Sequence, residues 1–213
     1  MKILFVSLGC DKNLVDSEHM LGILREKGYE FTDDEYDADV IVVNTCCFIG
    51  DAKEESINTL IELGNRKEDA KCKALIACGC LAQRYAKEIR EEIPEVDVII
   101  GTTAIEKIVE AVEKFDEKED YLEDIDVLSA ANAPRIVSTG GHFSYLKIAE
   151  GCDKHCSYCI IPKVRGNFRS VPMEYLIEEA KKLAQSGVKE LILVAQETTM
   201  YGVDIYKEKI QPK

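Results

Sequence analysis

The sequence predicts an α/β protein, a doubly wound parallel sheet followed by the start of a second β/α unit. Three observations lead there. Short apolar, β-branched runs alternate with longer helical patterns through the first hundred-odd residues, which is how strands joined by crossover helices read. An acidic, irregular stretch then interrupts the alternation. Beyond it a strand, a loop, a helix and a further strand follow in turn. The 213 residues, 46% hydrophobic and 31% charged, suffice for a buried core and for one large domain or two small ones.

Taken in order, the run 2–8 is the first strand and 13–27 the first helix. A weak strand is predicted near 29–32 and stronger ones at 39–44, 73–78 and 97–100. The helix predicted over 51–66 opens on a capping-box pattern, Asp51 with Glu54, and carries Ile57, Leu60, Ile61 and Gly64 at i, i+3, i+4 and i+7. Segments 81–92 and 103–115 are helical, with Pro94 closing the former. Residues 116–126 hold seven acids against one lysine and read as a solvated linker. The stretch 127–143, with Pro134, Gly140 and Gly141, continues without regularity. Then come a strand over 144–149, a cysteine-bearing loop over 150–170, a helix over 172–186 with Pro172 in its first turn, and a strand over 190–195. Two strands and one helix do not close a β/α barrel. The expected division is residues 1–116 as an N-terminal domain, 117–140 as an acidic linker and 141–213 as the beginning of a second domain.

A formal charge of −13 repels polyanions, so nucleic acid is not expected as a partner. No apolar run approaches the roughly 18 residues of a membrane helix, and the opening run has no small-residue cleavage site behind it. A cytoplasmic protein with reduced thiols is expected, and in that compartment clustered cysteines bind metal or do chemistry rather than form disulfides. The nine cysteines therefore need a chemical explanation.

Cys152, Cys156 and Cys159 stand in a C-x3-C-x2-C spacing directly after the strand at 144–149. Zinc sites and ferredoxin clusters take four protein ligands. Three thiolates on a [4Fe-4S] cube leave one iron open to chelate adjacent amine and carboxylate groups, as in the methionyl part of S-adenosylmethionine (SAM), whose reductive cleavage gives an adenosyl radical. The spacing is the radical-SAM motif; the competing reading is a zinc knuckle completed by His155. Tyr158 suits a ring near the adenine, or packs under the loop. Lys147, Lys154, Lys163, Arg165 and Arg169, against Glu150 and Asp153, form a positive island fit for an anionic cluster.

A second set follows from topology. Cys10, Cys46 and Cys80 each lie just past a predicted strand, and the carboxyl ends of parallel strands face one crevice where ligands bind. Three thiolates converging there make a second three-cysteine cluster site. The alternative is ordinary buried cysteines; Cys47 adjoins Cys46 and competes with it, Cys72 precedes its strand, and Cys78 sits inside one. The polar run 12–18 opens the first helix beside Cys10, as an anion-supporting N-terminus or as a capped, solvated start. Gln196, Glu197, Thr198 and Thr199 follow the last strand, where barrel enzymes place ligand contacts, which makes Gln196 a candidate SAM contact; a polar turn is the other reading. His19, His142 and His155 form no catalytic pair.

With these residues in view, the chain resembles the radical-SAM methylthiotransferases over nearly its whole length. Leu8 to Asn13 with Asp16, Ser17 and Glu18, then Asn44-Thr45-Cys46, then Gly79 to Arg84 resemble the family's N-terminal cluster domain. Tyr145 to Ile148, Glu150-Gly151-Cys152, Ile161-Pro162 and Arg165-Gly166 resemble the start of its radical-SAM barrel, a partial TIM-like β/α barrel. Lys12-Asn13, and Ala195 to Thr199 with Tyr201-Gly202, look like the branch that modifies a ribosomal protein; the tRNA-modifying branch carries a Gln-Asn-rich run there. Glu197 stands where that branch usually has Asp, and Cys47 where Gly is common. Family members continue through the rest of the barrel into a TRAM-type domain, so a fragment with little or no turnover of its own is expected.

The resemblance implies an auxiliary cluster on Cys10, Cys46 and Cys80 and a SAM cluster on Cys152, Cys156 and Cys159. It implies addition of a methylthio group to the β-carbon of an aspartate in small-subunit ribosomal protein number twelve, with two [4Fe-4S] clusters, SAM as both radical source and methyl donor, and an electron donor such as flavodoxin or ferredoxin. An acidic enzyme surface suits a basic ribosomal protein. The rival readings are a tRNA adenosine methylthiotransferase, a non-catalytic iron-sulfur electron-transfer module, and a flavodoxin-like nucleotide binder with incidental cysteines.

Overall fold

The computed structural model describes residues 1–129 and 132–206. Its first half is a five-stranded, wholly parallel sheet. β1 (Lys2–Ser7) leads into α1 (Asp11–Glu26), then the short β2 (Glu30–Phe31), β3 (Val40–Thr45), α2 (Gly50–Gly64) and the single turn α3 (Arg66–Asp69). β4 (Ala74–Gly79), α4 (Cys80–Glu92), β5 (Val96–Ile100) and α5 (Ile108–Glu113) follow. The strand order is β2-β1-β3-β4-β5, so the chain reverses direction across the sheet between β1 and β3, the point at which doubly wound sheets open a crevice for ligands.

Alternation along the strands explains why both faces are covered. Val40, Val42, Ile76, Val98 and Ile100 pack with Met20 and Leu24 of α1 and Ile108 of α5. Ile41, Val43, Leu75 and Ile99 turn the other way, onto Leu60 and Leu63 of α2 and Leu81 and Ile89 of α4. Every residue of β3, β4 and β5 is buried, as the near-continuous apolar runs of a two-sided parallel sheet require.

Differences from the sequence-based expectations are local. α2 begins at Gly50 with Ile49 at its cap and no side-chain cap bond, so Asp51 and Glu54 do not form a capping box. Its predicted apolar stripe is offset: Leu60, Leu63 and Gly64 are buried while Ile61 is exposed. The helix expected over 103–115 is a 3-10 turn at Ile105–Lys107 followed by the short α5. The acidic stretch is not simply solvated. Tyr121 is buried, exchanging backbone bonds with Ile99 and Gly101 at the edge of β5, and Asp120 pairs with Arg90. The chain then crosses α1, where the Ile136 amide donates to the Glu18 carbonyl at 3.0 Å.

The second region holds β6 (Phe143–Lys147), β7 (Ala149–Glu150), α6 (Ile161–Arg165), β8 (Arg169–Ser170), α7 (Met173–Gln185), β9 (Glu190–Val194) and α8 (Val203–Tyr206). β6 and β9 pair in parallel with α7 as their crossover, the opening β/α unit of a barrel, and β7 pairs with β8 antiparallel. The loop expected over 150–170 thus contains a helical turn and a short strand. Among the described residues, no helix is long and apolar enough to cross a membrane.

Candidate functional site

Each cysteine of the first set follows the C-terminal end of a central strand. Cys10 caps α1 just past β1, Cys46 follows β3, and Cys80 is the first residue of α4 after β4. Two glycines make the turns possible. Gly9 has φ +92°, and a Cβ on it would meet Cys46 Sγ at 2.9 Å, so the missing side chain lets the Cys10 turn lie against Cys46. Gly79 has φ +90°, and a Cβ there would meet the Thr45 carbonyl oxygen at 2.6 Å and crowd Asn44 Oδ1. Ser56 of α2 fixes the Cys46 backbone, accepting from its amide at 2.9 Å and donating to its carbonyl at 3.0 Å. Cys10 is exposed, whereas Cys46, Cys47 and Cys80 are buried. Cys47 also belongs to this group, its thiol donating to the Cys80 carbonyl at 3.3 Å. Cys78 lies inside β4 and Cys72 just ahead of it, both in the core, with burial pushing their thiols up. Burial likewise raises the Cys80 thiol to about 11, against the pull of the Arg165 guanidinium beside it.

Arg165, the last residue of α6, is the largest fully buried side chain described, at 2% exposure. Its NH1 donates to Asp16 at 2.7 Å and to Glu150 at 3.0 Å, its NH2 donates to Asn13 Oδ1, and its Nε donates to Cys80 Sγ at 3.3 Å. Lys147 donates to the same two carboxylates. Burial alone would discharge these groups. It is outweighed at Lys147 by Asp16 and Glu150, and at Arg165 by Cys80, Glu150 and Asp16, so both cations are held above their usual ranges. Glu150 is held far below the carboxylate range, its burial overcome by Arg165 and Lys147. Nearby, Glu18 accepts from Arg135 Nε at 2.8 Å and from the Ser138 amide at 2.6 Å. The polar turn opening α1, read from sequence as a solvated start or an anion-supporting N-terminus, is not a solvated start. Asn13, Asp16, Ser17 and Glu18 are buried; Asn13 and Asp16 receive Arg165 and Lys147 of the second region, and Glu18 receives Arg135 and Ser138 of the segment leading to it.

The second thiol set is local. Cys152 and Cys159 are half-buried and Cys156 is exposed. The loop is shaped by a turn in which the Cys159 amide donates to the Cys156 carbonyl at 2.9 Å, by a bond from the Cys152 amide to the Gly166 carbonyl at 3.1 Å, and by His155 in a left-handed conformation at φ +46°. Cys156 and Cys159 line a cavity of about 640 Å³ together with Tyr158 and Lys163 from the loop and Cys47 and Arg84 from the first region. Tyr158 is 90% exposed, so it does not pack under the loop. Gln196 is elsewhere: its Nε2 donates to Glu150 at 3.1 Å, and its Oε1 is buried without a partner among the described residues.

The predicted positive island is largely neutralised. Lys147 and Arg165 are buried on acids, Lys154 pairs with Glu197 and Arg169 with Asp126, which leaves Lys163 on the cavity wall. Arg165, Asp16 and Glu150 each stand in a stretch that carries the sequence resemblance, but nothing in the sequence showed that they form one centre. The only cue was that Arg165 and Glu150 flank the cysteine loop. Among the described residues, no three Cys, His, Asp or Glu side chains close around a single ion.

The uncharacterized protein family UPF0004 matches residues 2–101 and the Radical SAM superfamily matches residues 146–211. The chain is similar to proteins named Ribosomal protein uS12 methylthiotransferase RimO. That of Lachnoclostridium phytofermentans is 60% identical over 215 aligned positions, covering 100% of this chain and 49% of the relative. Those of Desulforamulus reducens and Clostridioides difficile are 53% and 51% identical, covering 95% and 99% of this chain and 46% and 48% of theirs. The chain spans about half the length of the curated relatives it matches.

Proposed function

The chain belongs to the RimO family of radical-SAM methylthiotransferases, and from that premise we propose that it carries the two iron-sulfur sites of an enzyme that adds a methylthio group to the β-carbon of an aspartate in small-subunit ribosomal protein twelve. The observation that carries this reading is the shared cavity of about 640 Å³, whose lining includes both Cys156 and Cys159 of the local set and Cys47, the neighbour of Cys46. That volume lies in the range of small-molecule sites.

The donor sets fit [4Fe-4S] clusters. Each offers three thiols, all described cysteines are free, and a cube spreads its thiolates more widely than a single ion does, which agrees with the absence of a closed ion site. Cys152, Cys156 and Cys159 would hold the cluster that binds SAM, and Cys10, Cys46 and Cys80 the auxiliary one. When bound, these groups supply the electron that cleaves SAM and the sulfur that is transferred. The protein's own part is positional. Tyr158 offers an exposed ring at the cavity for a flat ligand such as adenine, Lys163 and Arg84 bring positive charge to a carboxylate or an anionic cluster, and Cys47, Phe48 and Ile49 complete the lining from the first region. Gln196 holds Glu150, and its carbonyl oxygen is buried without a partner among the described residues. The site calls for SAM, a one-electron donor such as flavodoxin or ferredoxin, and a basic protein substrate, in the cytoplasm.

The test is SAM binding to the anaerobically reconstituted chain. SAM is expected to change the electron paramagnetic resonance (EPR) spectrum of the dithionite-reduced protein, and Cys156→Ala is expected to abolish the change. A spectrum indifferent to SAM, or zinc in place of iron, would sink the proposal.

A further inference from the structure

We propose that Arg165 is a positioning residue for the sulfur of Cys80: carried by the second region, its guanidinium seats that sulfur and sets the reduction potential of whatever cluster the sulfur ligates. The inference rests on the assignment of Cys80 as an auxiliary-cluster ligand and goes beyond it. A guanidinium has its donors in a rigid fork and no acceptor. Here NH1 goes to Asp16 and Glu150 and NH2 to Asn13, which locks the plane of the group. With the plane so fixed, the single Nε–H is aimed at Cys80 Sγ at 3.3 Å. Asn13 closes the arrangement, since its Oδ1 is 3.7 Å from the same sulfur while its Nδ2 donates to the Leu8 and Thr45 carbonyls, the backbone beside Cys10 and Cys46.

Burial makes the placement informative. Arg165 is 2% exposed and Asp16 is 2% exposed, and a surface arginine would satisfy its donors with water. Asp16 and Glu150 face both the guanidinium and Lys147, and the Cys80 sulfur adds to them in holding the Arg165 charge in the interior. Hydrogen bonds and positive charge at cluster sulfurs favour the reduced, more negative state and are established determinants of potential. The sheet's own site is therefore incomplete without a residue lying six positions beyond Cys159, and the seating of the second region is felt at the first.

The test uses the 213-residue chain with Cys152→Ala, Cys156→Ala and Cys159→Ala, so that only the sheet's cysteines carry iron. In EPR-monitored redox titrations, adding Arg165→Gln is expected to shift the reduction equilibrium about tenfold towards the oxidised state, about 59 mV lower for one electron. Arg165→Lys, which keeps the charge but not the fork, is expected to recover part of that shift. A cluster at unchanged potential in both variants overturns the role of Arg165 and leaves the ligand assignment standing. A triple-alanine chain that takes up no iron overturns the ligand assignment and the proposal with it. A readout on unaltered Arg165 covers variants that do not fold: with ¹⁵N-guanidino arginine and Arg84→Lys, pulsed EPR of the reduced triple-alanine chain is expected to show a nitrogen coupling, and its absence overturns the proposal.

Discussion

The two thiol sets solve one problem in opposite ways. Cys152, Cys156 and Cys159 share a single loop whose shape is set by bonds inside it and one to Gly166, and they are exposed or half-buried. Cys10, Cys46 and Cys80 come from three strand ends, which are neighbours only because β1, β3 and β4 lie side by side in parallel register. The loop set depends on local backbone geometry, the sheet set on the whole first region and, through Arg165, on part of the second. Damage to the fold should therefore separate them.

The largest separation is expected from Glu18→Ala. It leaves Arg135 buried with Glu179 as its one carboxylate beside the Ser144 hydroxyl and frees the Ser138 amide, and removing one partner of a buried pair costs about 3–5 kcal/mol. Urea unfolding of the apo chain is expected to show a loss of that order, and a cost under 1 kcal/mol would mean that α1 does not carry the joint. Gly79→Ala comes next, at roughly 2–3 kcal/mol, because the left-handed backbone and the Thr45 carbonyl both oppose a Cβ. Iron analysis of this variant after reconstitution should show the sheet set depleted and the loop set retained; equal depletion of both would break the contrast.

The smallest effect concerns His19, which is buried on α1 against the Pro134 carbonyl at 3.3 Å and whose pKa is lowered chiefly by that burial. A base with a lowered folded pKa binds its proton more readily when unfolded. Its contribution is therefore complete above the unfolded value near 6.5 and is lost as pH falls from there towards the folded value, with a slope bounded by about 1.4 kcal/mol per pH unit. Denaturation midpoints at pH 7.5 and 5.5 should differ more for the wild type than for His19→Gln. Parallel curves would show that His19 does not titrate across folding.

The strands and the order of the elements were legible in the amino-acid sequence because β3, β4 and β5 are buried on both faces and so read as unbroken apolar runs. The loop cysteines were legible for the reason that makes them local, a fixed spacing. The sheet set could be inferred only by first placing strands and then asking which ends converge, which is why Cys46 and Cys47 could not be told apart, and the structure puts both at the same strand end. Arg165 was legible as part of a basic loop and of the Arg165-Gly166 resemblance, but not as the partner of a sulfur in the first region. Its meaning comes from Asp16, Glu150, Asn13 and Cys80, three of which lie in the other region. The solvated reading of residues 12–18 failed for the same cause, since a polar helix start looks identical whether its partner is water or a buried guanidinium. The offset stripe of α2 reflects a rotation that spacing alone does not fix, with Leu63 taking the inward place expected of Ile61.

The central claim is that one chain presents two independent three-thiolate sites. It is tested most directly by iron stoichiometry after anaerobic reconstitution of four proteins: the wild type, the chain with Cys152, Cys156 and Cys159 replaced by alanine, the chain with Cys10, Cys46 and Cys80 so replaced, and the chain with all six replaced. The account predicts about eight irons, about four, about four and none. About four irons in the wild type, or a full complement in either triple variant, would contradict it.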